Sequence, residues 1–264
     1  MSKLASQDKF LDLSDYGRTF GIWLANVLKN TKFTPIHVTF LFGISGLIAI
    51  YCILTNHLYL AGIFIILKSA IDAADGELAR LKKTPSYTGR YLDSVFDIIL
   101  NFLFLMSICI MSKSTIWMTI LAFICIQLQG TLYNYYYVIL RNKSVGGDST
   151  SKIFEYKSPR ALPGESQKWV DILFLIYKIV YGLFDKSIHF LDQDAHKVKT
   201  FPNWFMTCLS VYGLGFQLII ISAMLALGWI EYIMPFFIGF SILIFILITV
   251  RKNFLPAKIQ SSIL

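Results

Sequence analysis

Four aspartates mark the place where this chain could do chemistry. They lie in the string Asp72-Ala-Ala-Asp75-Gly76-Glu77-Leu78-Ala79-Arg80 and, eight residues on, in Gly89-Arg-Tyr-Leu-Asp93-Ser-Val-Phe-Asp97. Both strings sit inside or at the edge of strongly apolar segments, residues 58–81 and 91–111. Helical spacing puts Asp72 and Asp75 one turn apart on one face, and Asp93 and Asp97 likewise. A carboxylate at membrane depth is costly unless it pairs, holds metal or carries protons. Four negative charges sharing one apolar site need cations, and oxygen-only ligands favour a hard divalent ion such as magnesium, manganese or calcium. On an antiparallel helix pair Asp75 and Asp93 would meet near the mouth, with Asp72 and Asp97 about one turn deeper. Such a cage suits phosphoryl transfer, where diphosphate charge must be neutralised while nucleophile and leaving group are aligned.

The neighbouring residues extend this chemistry. Gly76 and Ala79, one turn apart, leave a notch where a flat base or ribose could approach, or where helices pack closely. Arg80 reaches the interface, where it could grip a phosphate bidentately or snorkel. Lys68, ten residues inside an apolar segment and one turn from Asp72, needs a partner. Balancing the carboxylates and contacting substrate phosphate both stay open for it, and it is given no site role.

The order D-x2-D-G-x2-A-R-x8-G-x3-D-x3-D resembles the signature of the CDP-alcohol phosphatidyltransferase family. Asp72, Asp75, Gly76, Ala79, Arg80, Gly89, Asp93 and Asp97 fill every fixed position. The resemblance implies that the four aspartates bind two divalent ions, magnesium or manganese. It implies that Asp97 is the general base, and that Gly76, Ala79 and Arg80, with Gly89 close by, surround the CDP group. Attack by an acceptor hydroxyl on the phosphorus next to the transferred alcohol would release CMP. The implied fold is six membrane helices preceded by an interfacial helix. Thr34-Pro35-Ile36 resembles the family's Thr-Pro-Asn stretch, with Ile36 where a polar nucleotide contact would otherwise come from.

The elements that must position these residues are all helical. The chain of 264 residues is 56% hydrophobic, with 22 Phe, 14 Tyr and a mean hydropathy of +0.61, outside the range of ordinary soluble domains. Six segments are long and apolar enough to span a bilayer, residues 36–56, 58–81, 91–111, 115–140, 204–227 and 232–250. Ahead of them, residues 8–30 read as an amphipathic interfacial helix, with Phe10, Leu13, Phe20, Trp23, Leu24 and Val27 at helical spacing. Lys and Arg crowd both termini, the 82–90 turn and the 141–200 region, so both termini and the motif loop are expected in the cytoplasm. The net charge of +8 then faces anionic lipid, and no nucleic-acid partner is needed. Within 141–200, residues 142–164 read as a long cytoplasmic loop. Residues 169–191 read as a surface helix with Asp171, Lys178 and Asp185 along one stripe. Cys52, Cys109, Cys125 and Cys208 read as small buried hydrophobes.

Residues 1–264 are thus expected to form one membrane domain of a phospholipid-synthesising transferase, in the inner membrane if bacterial. Its partners would be a CDP-linked donor, a lipid and an alcohol. Two reactions stay open: phosphatidyl transfer from CDP-diacylglycerol to a polar alcohol, and transfer from a CDP-choline or CDP-ethanolamine type donor to diacylglycerol. A divalent-cation transporter is the remote alternative, and pairing into a homodimer is left open.

Overall fold

The computed structural model describes residues 4, 8–143, 155–198 and 200–255. Among them every regular element is a helix. The first, α1, runs Arg18–Leu28. It begins ten residues later than the amphipathic pattern predicts. The reason is local: Asp12 Oδ1 accepts from the Ser14 amide and hydroxyl at 3.0 and 2.7 Å, a side-chain turn that competes with helix. The inner face of α1 is made of small residues. A Cβ on Gly17 or Gly21 would come within 2.9 Å of the Ala70 or Ala73 backbone, so glycine permits this contact. Its outer face leaves Phe20, Trp23 and Val27 exposed.

Helix α2, Pro35–Leu54, starts with a capping box, in which Thr34 Oγ1 accepts from the His37 amide and His37 Nδ1 accepts from the Thr34 amide. The tight Thr55–His57 turn leads to α3, Leu58–Lys82, which ends at Lys83 in the left-handed conformation. Helix α4, Tyr87–Ser112, is capped by Ser86 Oγ, which accepts from the Gly89 amide at 2.8 Å. Helix α5 is Ile116–Lys143 and α6 is Gln167–Leu191. Two shorter helices follow, α7 at Asn203–Leu209 and α8 at Leu214–Ala226, then α9 at Ile233–Phe240 and α10 at Ile242–Phe254.

Helix α3 is the centre of the bundle, packed against α1, α2 and α8, while α4 packs on α2, α5 and α6. The core beneath the site includes Phe42, Ile65, Leu78 and Phe104, all fully buried. Length and composition support four membrane crossings, α2, α4, α5 and the α9–α10 run, and a fifth if α7 and α8, bent by 50°, are one. The sequence-based expectation is six. Helix α3 falls short because any stretch long enough to cross carries Lys68, Asp72 and Asp75. The bend between α7 and α8 has a visible cause. The amino-terminal segment crosses the break, with the Leu13 amide on Ser210 Oγ at 3.0 Å, and any Cβ on Gly213 or Gly215 would collide with Ser14.

Both ends of α6 meet the same end of the bundle. Just before it, Glu165 Oε1 accepts from Ser86 Oγ and the Thr88 amide at 2.7 Å, at the α3–α4 turn. Just after it, Asp192 forms a fully buried ion pair with Arg251 in the last turn of α10, and Tyr136 of α5 donates to the same carboxylate. The helix therefore lies along that end instead of crossing to the other. Cys52, Cys109 and Cys125 are buried as the composition predicts, but Cys208 is exposed.

Candidate active site

Helices α3 and α4 both pack on α2, and this brings Asp72, Asp75 and Asp93 together across the cavity, in place of the directly packed antiparallel pair that the spacing suggests. One oxygen from each lies within 4.8 Å of the others, a spacing that a single cation can bridge. Thr39 Oγ1, from α2, donates to Asp75 Oδ2 at 2.9 Å and fixes that carboxylate. Asp93 Oδ1 is buried with no hydrogen-bond partner among the described residues. Buried polar atoms are normally satisfied, so an orphaned carboxylate oxygen beside two more carboxylates fits a metal ligand. The donor set, all oxygen, fits magnesium or manganese.

Asp97, the fourth aspartate, turns elsewhere. Its Oδ1 is paired with Lys68 Nζ, which also lies 3.5 Å from Asp72 Oδ2. The spacing thus places Asp97 one turn from Asp93 as expected, but its nearest cation is the chain's own ammonium. All four aspartates line one open cavity of about 470 Å³. Gly76 and Arg80 line it too, and the Arg80 guanidinium lies over Gly76, 3.7 Å from where a Cβ would be. Arg80 also pairs with buried Glu77 at 2.7 Å, and Arg18 reaches the same carboxylate at 3.5 Å. Ala79 and Gly89 do not line the cavity. Gly89 instead leaves room for the α4 cap, since a Cβ there would stand 3.2 Å from Ser86 Oγ.

The cavity's other walls come from elements whose part in the site the sequence argument left unassigned. Helix α5 contributes Gln127, Thr131 and Asn134, and α6 contributes Tyr177, Tyr181 and Asp185. These residues recur at three- or four-residue intervals along one face of each helix, which is the signal that could have found them. Tyr181 donates to the Ser94 carbonyl at 3.0 Å, tying α6 to α4 one residue from Asp93. Burial pushes the Asp185 carboxyl up to about 7, and the Glu155 charge adds to the shift. Asp12 and Asp15 close the amino-terminal side, with Tyr133 donating to Asp12 Oδ2 at 2.5 Å.

Helices long and apolar enough to cross a membrane, around a cavity with three carboxylates spaced so that they could hold a metal ion, define the class of this protein. A family model described as CDP-alcohol phosphatidyltransferase matches residues 32–226. The chain belongs to that family, and hence to the transferases of phospholipid biosynthesis, which take a CDP-alcohol donor and an alcohol acceptor. No curated protein and no solved structure matches it.

Proposed function

We propose that the chain transfers a phosphatidyl or phospho-alcohol group from a CDP-linked donor to an alcohol hydroxyl, releasing CMP, at the cytoplasmic face of a membrane. The observation that carries this is the meeting of Asp72, Asp75 and Asp93, with orphaned Asp93 Oδ1, in a cavity that also shows Gly76, Arg80 and Asp97. Asp72, Asp75 and Asp93 would hold a divalent ion, which when bound neutralises diphosphate charge and polarises the reacting phosphoryl group. Arg80 supplies a planar cation for a phosphate of the donor, at the side of Gly76 where the wall is lowest. Asp97 takes the proton from the acceptor hydroxyl as its oxygen bonds to phosphorus and the bond to CMP breaks. An ammonium on one oxygen of Asp97 holds that carboxylate in place for the transfer.

Helix α3 is the sixth crossing in this reading. Lys68, Ala74 and Leu78 are buried against its neighbours, so its charges face the bundle and not lipid. The end of the bundle carrying Lys82, Lys83, Arg90, Arg141 and Arg251 faces the cytoplasm, with both termini. The test is CMP release by the purified chain with CDP-diacylglycerol plus polar alcohols in one arm and CDP-choline or CDP-ethanolamine plus diacylglycerol in the other. Release in one arm that stops with chelator and returns with magnesium or manganese is the expected result. No release in either arm, or full turnover in excess chelator, would overturn the assignment.

A further inference from the structure

Lys68 has no exposed surface. Its Nζ pairs with Asp97 Oδ1, lies 3.5 Å from Asp72 Oδ2, and has the Phe42 ring 4.6 Å away on another side. Asp72 therefore belongs to two groups at once. One is the carboxylate trio with Asp75 and Asp93, and the other is an ammonium shared with Asp97. An ion bridging Asp72 Oδ2 to Asp97 Oδ1 would have to enter where Nζ stands. The ammonium cannot step aside into water, because its stem is enclosed in the core, and two cations in contact at a site of low dielectric repel strongly.

We propose that Lys68 is a resident cation that replaces a second divalent ion, so that the site takes up one ion, on Asp72, Asp75 and Asp93. Asp97 is then a proton acceptor positioned by a lysine and carries no metal. The inference rests on the transferase reading, but it makes a different demand, on ion count instead of on reaction.

The experiment is a Mn²⁺ titration of the full chain in detergent, without substrates, following bound ion by electron paramagnetic resonance. Wild type is expected to bind one Mn²⁺ per chain. Lys68→Met, which keeps the shape and removes the charge, is expected to bind two. Asp97→Asn, in a fold that keeps Lys68, is expected to retain one ion with affinity changed less than the roughly 10-fold that disturbing a metal's surroundings costs. Two ions on wild type would overturn the proposal while leaving the transferase reading intact. One ion on a folded Lys68→Met, or loss of an ion in Asp97→Asn, would overturn it as well. If Lys68→Met fails to fold, the wild-type and Asp97→Asn counts decide. No Mn²⁺ on any of them would sink the metal-dependent reading itself.

Discussion

Arg90 Nη2 stands 2.6 Å from both carboxylate oxygens of Glu155, sixty-five residues away, and Tyr91 donates to the same carboxylate at 2.5 Å. The guanidinium also stacks over the Tyr91 ring, 4.5 Å from its centre. These contacts fasten the chain that leads into α6 onto the first turn of α4, one turn before Asp93. Charge-assisted bonds of this kind contribute about 1.5–3 kcal/mol. Glu155→Ala should therefore lower Tm in detergent by several degrees, whereas Glu155→Gln should lower it less, because its remaining oxygen still accepts one of these bonds. An unchanged Tm for Glu155→Ala would show that the contact holds nothing.

Asp97→Asn should separate proton transfer from donor binding. The amide keeps size and one oxygen but does not take up a proton, so CMP release should fall by roughly 10²–10⁴-fold. Binding of labelled CDP-donor should survive. Asp75→Asn should instead weaken metal-dependent donor binding, because Asp75 belongs to the carboxylate trio. Near wild-type turnover by Asp97→Asn would remove it from the base role.

Glu165 gives the α3–α4 turn a dependence on acid. Burial works to raise its carboxyl, but hydrogen bonds from Ser86 Oγ and from the Thr88 and Leu162 amides outweigh it and hold it below the ordinary range. A carboxyl depressed on folding adds stability that is whole above its unfolded value, here 4.5, and is lost as pH falls through the folded one. Wild type should thus be more stable than Glu165→Gln at neutral pH, and the gap should narrow as pH falls below 4.5. A gap of constant size across that range would show that the charge is not involved.

Orientation can be read with single cysteines in a Cys208→Ser background, since Cys208 is the exposed one of the four. Cysteines at Thr84 and Lys252 should be labelled from the cytoplasmic side only, and one at His57 from outside only. Lys252 is the better probe than its neighbour, because Arg251 is buried against Asp192. Labelling of Thr84 and His57 from the same side would refute the arrangement of α3.

The aspartates were legible in the sequence because helical spacing alone aligns Asp72 with Asp75 and Asp93 with Asp97. Four-residue spacing likewise points Lys68 at Asp72. That the same lysine chooses Asp97 depends on how α3 and α4 are both set against α2, which no local pattern encodes. The same holds for Glu165 on Ser86 and Tyr133 on Asp12, contacts that span seventy-nine and one hundred and twenty-one residues. The start of α1 was misplaced for a different reason: Asp12 keeps the apolar periodicity going while its side chain bonds the backbone out of helix. The count of crossings was also obscured, since Ser14 lodged against Gly213 and Gly215 breaks an apolar run that reads as continuous.

The buried pair of Asp192 with Arg251 carries a consequence for how the molecule is made. Fifty-nine residues separate the two, and the Tyr136 hydroxyl waits on the same carboxylate. During synthesis Asp192 leaves the ribosome well before its arginine does. Until α10 is made, Asp192 lacks the arginine that it pairs with in the folded chain, and an unpaired carboxylate there resists burial. The stretch of α6 that brings Tyr177, Tyr181 and Asp185 to the cavity therefore gains this anchor only once Arg251, in the last turn of α10, has been made.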